Sequence, residues 1–388
     1  MAMLMLGRRF VNIVAAGKYK TGMLSVHRLD VSKHLFYPSA NEARFVGGDG
    51  ETLQELPAPC AIFSDATTAA APVRRRSTAF FSLVSPRSSD GSRIRFTNEA
   101  GDSIMYDADE GCFAMPCPDL EEFAGPVVAS VSVVAQQAGG GGAAAKEEPK
   151  KACTSCMACV TGSHASTSTR VGEGWFWQSL PPPPFVSDDG PDDVISSYTV
   201  VEGGRTICVS SSLYAAAAGT WCFDTVRGDW WHAGDWVMPF DGRAEYLPDL
   251  DLWLGFSSDA SPGRELCTTS GLSIWAMPMA MNQPPTLLQR VWRDDHTPKP
   301  KQVELISLGS GRFAIAKVFN LDHGYTSDFA LDGIDYMVDD DELLDVTGVE
   351  IRPRHDSRYI WSCSDGLELI RHKSISYICD SHRIHQVL

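Results

Sequence analysis

Cys153-x-x-Cys156-x-x-Cys159, followed by His164, is the one segment whose residue types and spacing fit metal chemistry. Three thiolates and an imidazole can complete a tetrahedral zinc site. Such a site folds around its ion with supporting hydrogen-bond partners, and the flanks here are Gly, Ser and Lys. The four residues therefore read as an incidental thiol cluster, and no metal is expected. His382 and His385 lie in a strand-like run, where residues three apart face opposite sides, so they do not share an ion. Asp339-Asp340-Asp341-Glu342 lacks the spaced ligands and central Gly of a calcium loop and reads as a solvated acidic loop.

No Gly-x-Ser-x-Gly elbow, phosphate-binding loop or His-Glu-x-x-His occurs. With no nucleophile paired to a base, the expected catalytic, cofactor-binding and metal residues are none, no cofactor is expected, and the protein reads as a non-enzyme. Asp107 and Asp224 recur in matching places, each after an aromatic and before a turn, with Asp30 a third instance and Asp322 a weaker fourth. Their expected role is to accept backbone N–H bonds of the turn. Trp221, Trp230, Trp231, Trp236 and Trp253 read as core, with one or two as binding anchors.

The elements that must position these residues are clearest in Gly219–Phe256. Thr220–Phe223, Trp230-Trp231, Ala244–Leu247 and Leu252–Phe256 are strand-like runs around an Arg-Gly-Asp turn and Pro248-Asp249, and they read as one antiparallel four-stranded sheet. Such a sheet has two apolar faces and no helix to cover them, so it needs copies of itself on both sides. The spacing of the matching aspartates is near two such units each, once an insert is removed from the middle interval. This predicts an all-β fold, a β-propeller of four-stranded antiparallel blades over residues 1–388, six in number within a range of five to seven.

The insert is 136–170, rich in Gly, Ala, Lys, Glu and Ser, and is expected to be disordered. Asn41–Glu55 reads as a polar surface loop, and Asp339–Val346 as one possible helical turn. Pro181–Pro184 reads as a rigid connector. Leu367–Lys373 and Ser374–Ile378 read as separate strands, and further strands are expected at Leu272–Trp275 and Tyr359–Cys363. Ile384–Leu388 is apolar to its end and Phe10–Val14 is equally strand-like, so the two are expected to meet in one blade.

The formal net charge is −16, from 33 Lys+Arg against 49 Asp+Glu, which excludes a broad phosphate-neutralising surface and with it nucleic acid as a partner. Eleven cysteines are an odd number, and none of the asparagines opens an Asn-x-Ser/Thr sequon. Both facts favour a reducing compartment. The expected location is cytoplasmic or nuclear, with organellar targeting by the basic Met1–Ala16 segment as the second reading. No apolar run spans a bilayer, so a soluble, non-membrane protein and a monomer are expected.

RRFVNIV, SVHRLDVSKHLFYPS, SIMYDADEGCFAMP, the Gly219–Phe256 stretch and the closing RHKSISYICDSHRIHQVL together resemble a large grass-expanded family of uncharacterised domain-of-unknown-function proteins, similar to kelch-type and F-box-associated β-propellers. The resemblance implies a plant, kelch-like repeat protein and transfers no catalytic residue. The expected function is a non-enzymatic scaffold that binds another protein through its loop face. One alternative is a substrate-recognition subunit of a ubiquitin ligase without its own F-box; another is a small-ligand binder or enzyme using the central channel.

Overall fold

The computed structural model describes residues 7–17, 23–46, 52–64, 80–83, 92–98, 102–117, 127–135, 154–161, 165–171, 174–181, 183–185, 195–201, 206–211, 219–224, 227–247, 250, 252–258, 265–270, 286–292, 300–321, 341–353, 367–379 and 382–388. β1 (Phe10–Gly17) and β2 (Met23–Asp30) form an antiparallel hairpin from Phe10↔Asp30 to Ala16↔Leu24. Two short helices follow, α1 (Val31–His34) and α2 (Ala40–Val46), then β3 (Thr52–Glu55) and β4 (Pro59–Ser64). β4 returns to pair with β2, whereas β3 does not.

The next strands fall into antiparallel meanders of four. β5 (Phe80–Leu83), β6 (Arg93–Thr97), β7 (Ser103–Asp107) and β8 (Cys112–Cys117) make the first. β9 (Val127–Ala135), β10 (Thr154–Thr161), β11 (Ala165–Val171) and β12 (Gly174–Leu180) make the second, and β13 (Ile195–Val201), β14 (Thr206–Ser211), β15 (Gly219–Asp224) and β16 (Asp229–Gly234) the third. β17 (Gly242–Leu247), β18 (Leu252–Phe256), β19 (Leu266–Ser270) and β20 (Thr286–Trp292) are the fourth; β13 and β17 lie parallel, joining the third and fourth into one eight-stranded sheet. β21 (Gln302–Gly309), β22 (Arg312–Leu321), β23 (Asp341–Pro353) and β24 (Leu367–Cys379) form the fifth, with β3 added parallel at the β24 edge. β25 (His382–Val387) then pairs with β1, in the order β25-β1-β2-β4. The termini thus meet in one sheet as expected, and Asn12 and Leu388 exchange backbone hydrogen bonds of 2.9 and 2.8 Å.

On β1 and β22 alternation supplies two apolar faces, and each face finds a different neighbour. On β1, Val11, Ile13 and Ala15 pack with Ala314, Ala316 and Val318 of β22, while Val14 packs with Phe81 and Ile94 of the first meander. On β22, Phe313 and Ile315 turn the other way, onto Leu254 and Phe256 of β18. Cys208 and Cys222 of the third meander share a core with Trp253 and Cys267 of the fourth. β9 lies beside both β5 and β13. At about 25 cal/mol per Å² of apolar surface, burial on both faces is the main stabilising term of such an assembly.

The structure departs from the sequence reading in several places. Gly219–Phe256 is two hairpins of different meanders rather than one four-stranded meander: the β15–β16 hairpin completes the third meander on β14, and β17–β18 begins the fourth. The segment 136–170, expected to be disordered, contains β10 and all but the last residue of β11, paired from Cys156↔Thr169 to Val160↔Ala165. Its Thr and Val have high strand propensity, and the long run Val127–Ala135, which the sequence reading passed over, supplies a partner for β10. Residues 136–153 and 162–164 lie outside the described residues. Asn41–Glu55 is not a plain loop, since it holds most of α2 and all of β3. Asp341–Val346 is strand, because β22 on one side and β24 on the other take up its backbone groups. The two runs expected between Leu367 and Ile378 are one strand, and the runs expected at 272–275 and 359–363 lie outside the described residues.

Candidate functional site

The connection from β2 to β4 leaves its own sheet, crosses to the fifth meander and comes back. Its first anchor is α1, capped by Asp30, whose carboxylate accepts from the Ser32 backbone N–H at 3.2 Å and the Ser32 hydroxyl at 2.6 Å. Leu35 then presents its carbonyl to β24, accepting from the Lys373 N–H at 3.0 Å. That carbonyl docks against Gly348, where a Cβ would lie only 2.3 Å from the oxygen. The β23–β24 register shifts between Thr347 and Val349, so the bulge and the absent side chain together make the socket.

The second anchor is electrostatic. The Tyr37 backbone N–H donates to Nδ1 of His372 at 3.2 Å, which leaves the ring proton on Nε2, donated to Glu350 Oε2 at 3.1 Å. Arg312 reaches the same carboxylate at 3.4 Å, and Arg352 bonds its other oxygen. Burial pushes the Glu350 carboxyl up, but the hydrogen bonds from His372 and Arg352 and the charge of Arg312 outweigh it and hold the group below its ordinary range. Phe36 lies 4.8 Å from the His372 ring, and the Arg312 guanidinium sits 5.0 Å from the Phe36 ring centre. A His–Glu pair is also the base-and-orienter half of a hydrolytic triad. Here both ring nitrogens are engaged and the His372 side chain is fully buried, so the pair serves as a clamp.

The third anchor is α2 and β3. Ser39 Oγ accepts from the Glu42 N–H at 3.1 Å, Ala40 and Ala43 pack on Ile370, and Arg44 pairs with both carboxylate oxygens of Glu368. β3 then lies along β24 from Thr52↔Ile375 to Glu55↔Ile378. Leu53 sits opposite Ser376, two positions from Ile378, so these two apolar side chains share one sheet face. Leu53 is 60% exposed, and on α2 Phe45 is 92% exposed with Val46 beside it open to solvent. Among the described residues β3 has no strand on its outer side. A strand edge beside exposed apolar side chains, as Leu53 and Ile378 provide, is what a partner's extended segment requires.

The residues singled out from sequence fall elsewhere. Cys156 and Cys159 lie in β10, while Cys153 and His164 are outside the described residues; among the described residues no group of three His, Cys, Asp or Glu is placed to hold a metal. His382 packs against His27, with centroids 6.0 Å apart, and His385 against Phe81 at 6.4 Å. Of the expected acidic loop, Asp341 and Glu342 are in β23, and buried Glu342 pairs with Lys301 and accepts from the Ile384 N–H at 2.7 Å. The fourth aspartate, Asp322, lies outside the described residues.

Asp30, Asp107 and Asp224 do hold equivalent places, each closing the third strand of its four-stranded unit. Asp107 accepts from the Asp109 and Glu110 N–H groups at 3.1 and 3.2 Å, and Asp224 from the Arg227 N–H at 3.0 Å. Burial raises the Asp30 and Asp107 carboxyls, yet these turn hydrogen bonds and the nearby Arg9 and Arg93 bring both below the usual range. Trp253 is buried and the other four tryptophans are half-buried against the third and fourth meanders; Trp230 Nε1 donates to the Pro181 carbonyl at 2.8 Å, fastening the proline-rich connector. The anchors of the β2–β4 connection were missed because Tyr37 and His372 are 335 residues apart. The one signal that pointed there is an exposed-looking Phe45-Val46 inside an otherwise polar segment.

No helix among the described residues is long and apolar enough to cross a membrane. The chain belongs to the family described as protein of unknown function (DUF1668), which matches it over residues 8–377. No curated protein matches it. Similar solved structures include the β-propeller domain of Cps50 (Swd1) from Myceliophteria thermophila, 10% identical over 87% of this chain and 82% of that one with a TM-score of 0.40. KlHsv2 with its loop 6CD replaced by a Gly-Ser linker is 8% identical over 97% and 99%, with a TM-score of 0.33. BamB from Moraxella catarrhalis is 12% identical over 82% and 85%, with a TM-score of 0.32.

Proposed function

We propose that this DUF1668 chain is a non-enzymatic β-propeller of six four-stranded blades that holds a partner protein against the strap formed by residues 31–46 and 52–55. The architecture is supported by strand order: five meanders of four, a sixth sheet made of β25 with β1, β2 and β4, and apolar clusters that link the third, fourth and fifth meanders, the terminal sheet and the first meander in turn. In this arrangement β25 is the inner strand of the blade that joins the two termini.

One observation carries the partner-binding reading: exposed Leu53 and Ile378 share one face of the β3–β24 pair, whose β3 edge has no further strand among the described residues, and the same connection carries exposed Phe45 and Val46 on α2. The partner chemistry that fits is an extended segment with apolar residues at alternate positions, adding to β3 by backbone pairing. The test is capture of partners by the wild-type chain and by a Phe45→Ser/Leu53→Lys double variant. Both side chains are exposed, so the melting temperature should stay unchanged, while the specific partner is lost. A partner held equally by both proteins would move the binding surface off the strap. A cullin and its adaptor in the captured set would favour the ubiquitin-ligase role.

A further inference from the structure

Cys208 and Cys222 are directly opposite each other on β14 and β15, in the core between the third and fourth meanders. Both are buried, and their sulfurs stand 2.7 Å apart. That separation is shorter than the roughly 3.5–4 Å of ordinary non-bonded heavy-atom contact. It lies on the way to the approximately 2.05 Å of a covalent S–S bond. Directly paired residues on antiparallel strands have Cα atoms about 4.5 or 5.5 Å apart, and both values fall in the disulfide range, so closure requires no backbone movement. Cys267 lies in the same core but on β19, opposite Arg290 rather than a thiol.

We infer that Cys208 and Cys222 are a redox modification site that closes to an intramolecular cross-strand disulfide by exchange with a low-molecular-weight disulfide such as glutathione disulfide. One cysteine thiolate attacks a sulfur of glutathione disulfide, forming a mixed disulfide and releasing one glutathione thiolate. The second cysteine thiolate then displaces the other glutathione and forms the internal bond. The two thiol protons end on the two released glutathiones, so two protein thiols are oxidised and one glutathione disulfide is reduced. Access comes through opening of the β14–β15 hairpin, after which the closed pair clamps both strands.

The test uses the folded wild-type chain, equilibrated in excess glutathione disulfide, denatured in alkylating reagent and digested with trypsin. The peptide Thr206–Arg227 contains both cysteines, no other cysteine and no internal Lys or Arg. It is expected to be unalkylated and lighter than the dithiol form by two hydrogen atoms, and to become doubly alkylated again after the folded protein is treated with excess dithiothreitol. The oxidised protein is expected to melt at a higher temperature than the reduced one. Persistence of the doubly alkylated peptide while the exposed Cys112 takes up glutathione in the same sample would overturn the inference. Glutathione retained on Cys208 or Cys222 would do the same. In Cys222→Ser the same oxidant must leave no peptide lighter by two hydrogens; finding one would refute the assignment of the bond.

Discussion

In the Gly219–Phe256 stretch each turn is closed by close neighbours in the chain: Asp224 pairs with Asp229 across the β15–β16 turn, and Leu247 with Leu252 across the next. In the strap, by contrast, Leu35 binds Lys373, Tyr37 binds His372 and β3 lies along β24. The first region forms from turn residues and apolar runs that act locally. The second takes its conformation from a surface that exists only once the fifth meander is built. Loop-closure entropy grows slowly with loop length, so contacts hundreds of residues apart remain affordable when several anchors share them.

Two glycines separate the regions most sharply. Gly348→Ala places a methyl group against the Leu35 carbonyl and must displace the strap, at a cost of about 3 kcal/mol. Gly228 has φ +75° but open space around it, so Gly228→Ala meets only left-handed backbone strain, about 1 kcal/mol. Urea denaturation of both variants checks the order, and equal losses would erase the distinction between tertiary socket and local turn.

Acid should weaken the strap and a turn of the first meander through different groups. Glu350 in the strap clamp, Asp30 at the strap's first anchor and Asp107 at the turn after β7 all titrate below their ordinary values when folded. The unfolded chain therefore binds more protons than the folded one as pH falls. Their stabilisation is complete above the unfolded carboxylate range and drains as pH drops below about 4. Melting temperature against pH should show this slope, and Glu350→Gln should flatten part of it; an unchanged slope would mean that the clamp carboxylate does not contribute.

An effect as small as that of Gly228→Ala is expected from the carboxylate at the same turn. Asp224→Ala removes the acceptor for the Arg227 N–H and should cost about 1 kcal/mol by thermal or urea unfolding. A cost near that of Gly348→Ala would show that the turn is coupled to distant packing.

Much of the strand content was legible because period-2 apolar runs bounded by Gly, Pro and Asp act within a few residues, as in Arg93–Thr97 and Ile195–Val201. The turn role of Asp107 and Asp224 was legible for the same reason, since each carboxylate bonds backbone at most three residues away. Grouping strands into sheets was not, because the hairpins of Gly219–Phe256 look continuous along the chain and only the pairing of β14 with β15 and of β13 with β17 divides them. Low complexity hid β10 and β11, whose Thr-, Ser- and Val-rich residues become strand when β9 and β12 lie alongside. The strap was hidden for a simpler reason: Leu35, Tyr37 and Thr52–Glu55 are anchored by groups that lie hundreds of residues away in the chain. Their places are set by Gly348, His372 and β24, which sequence proximity never brings near them.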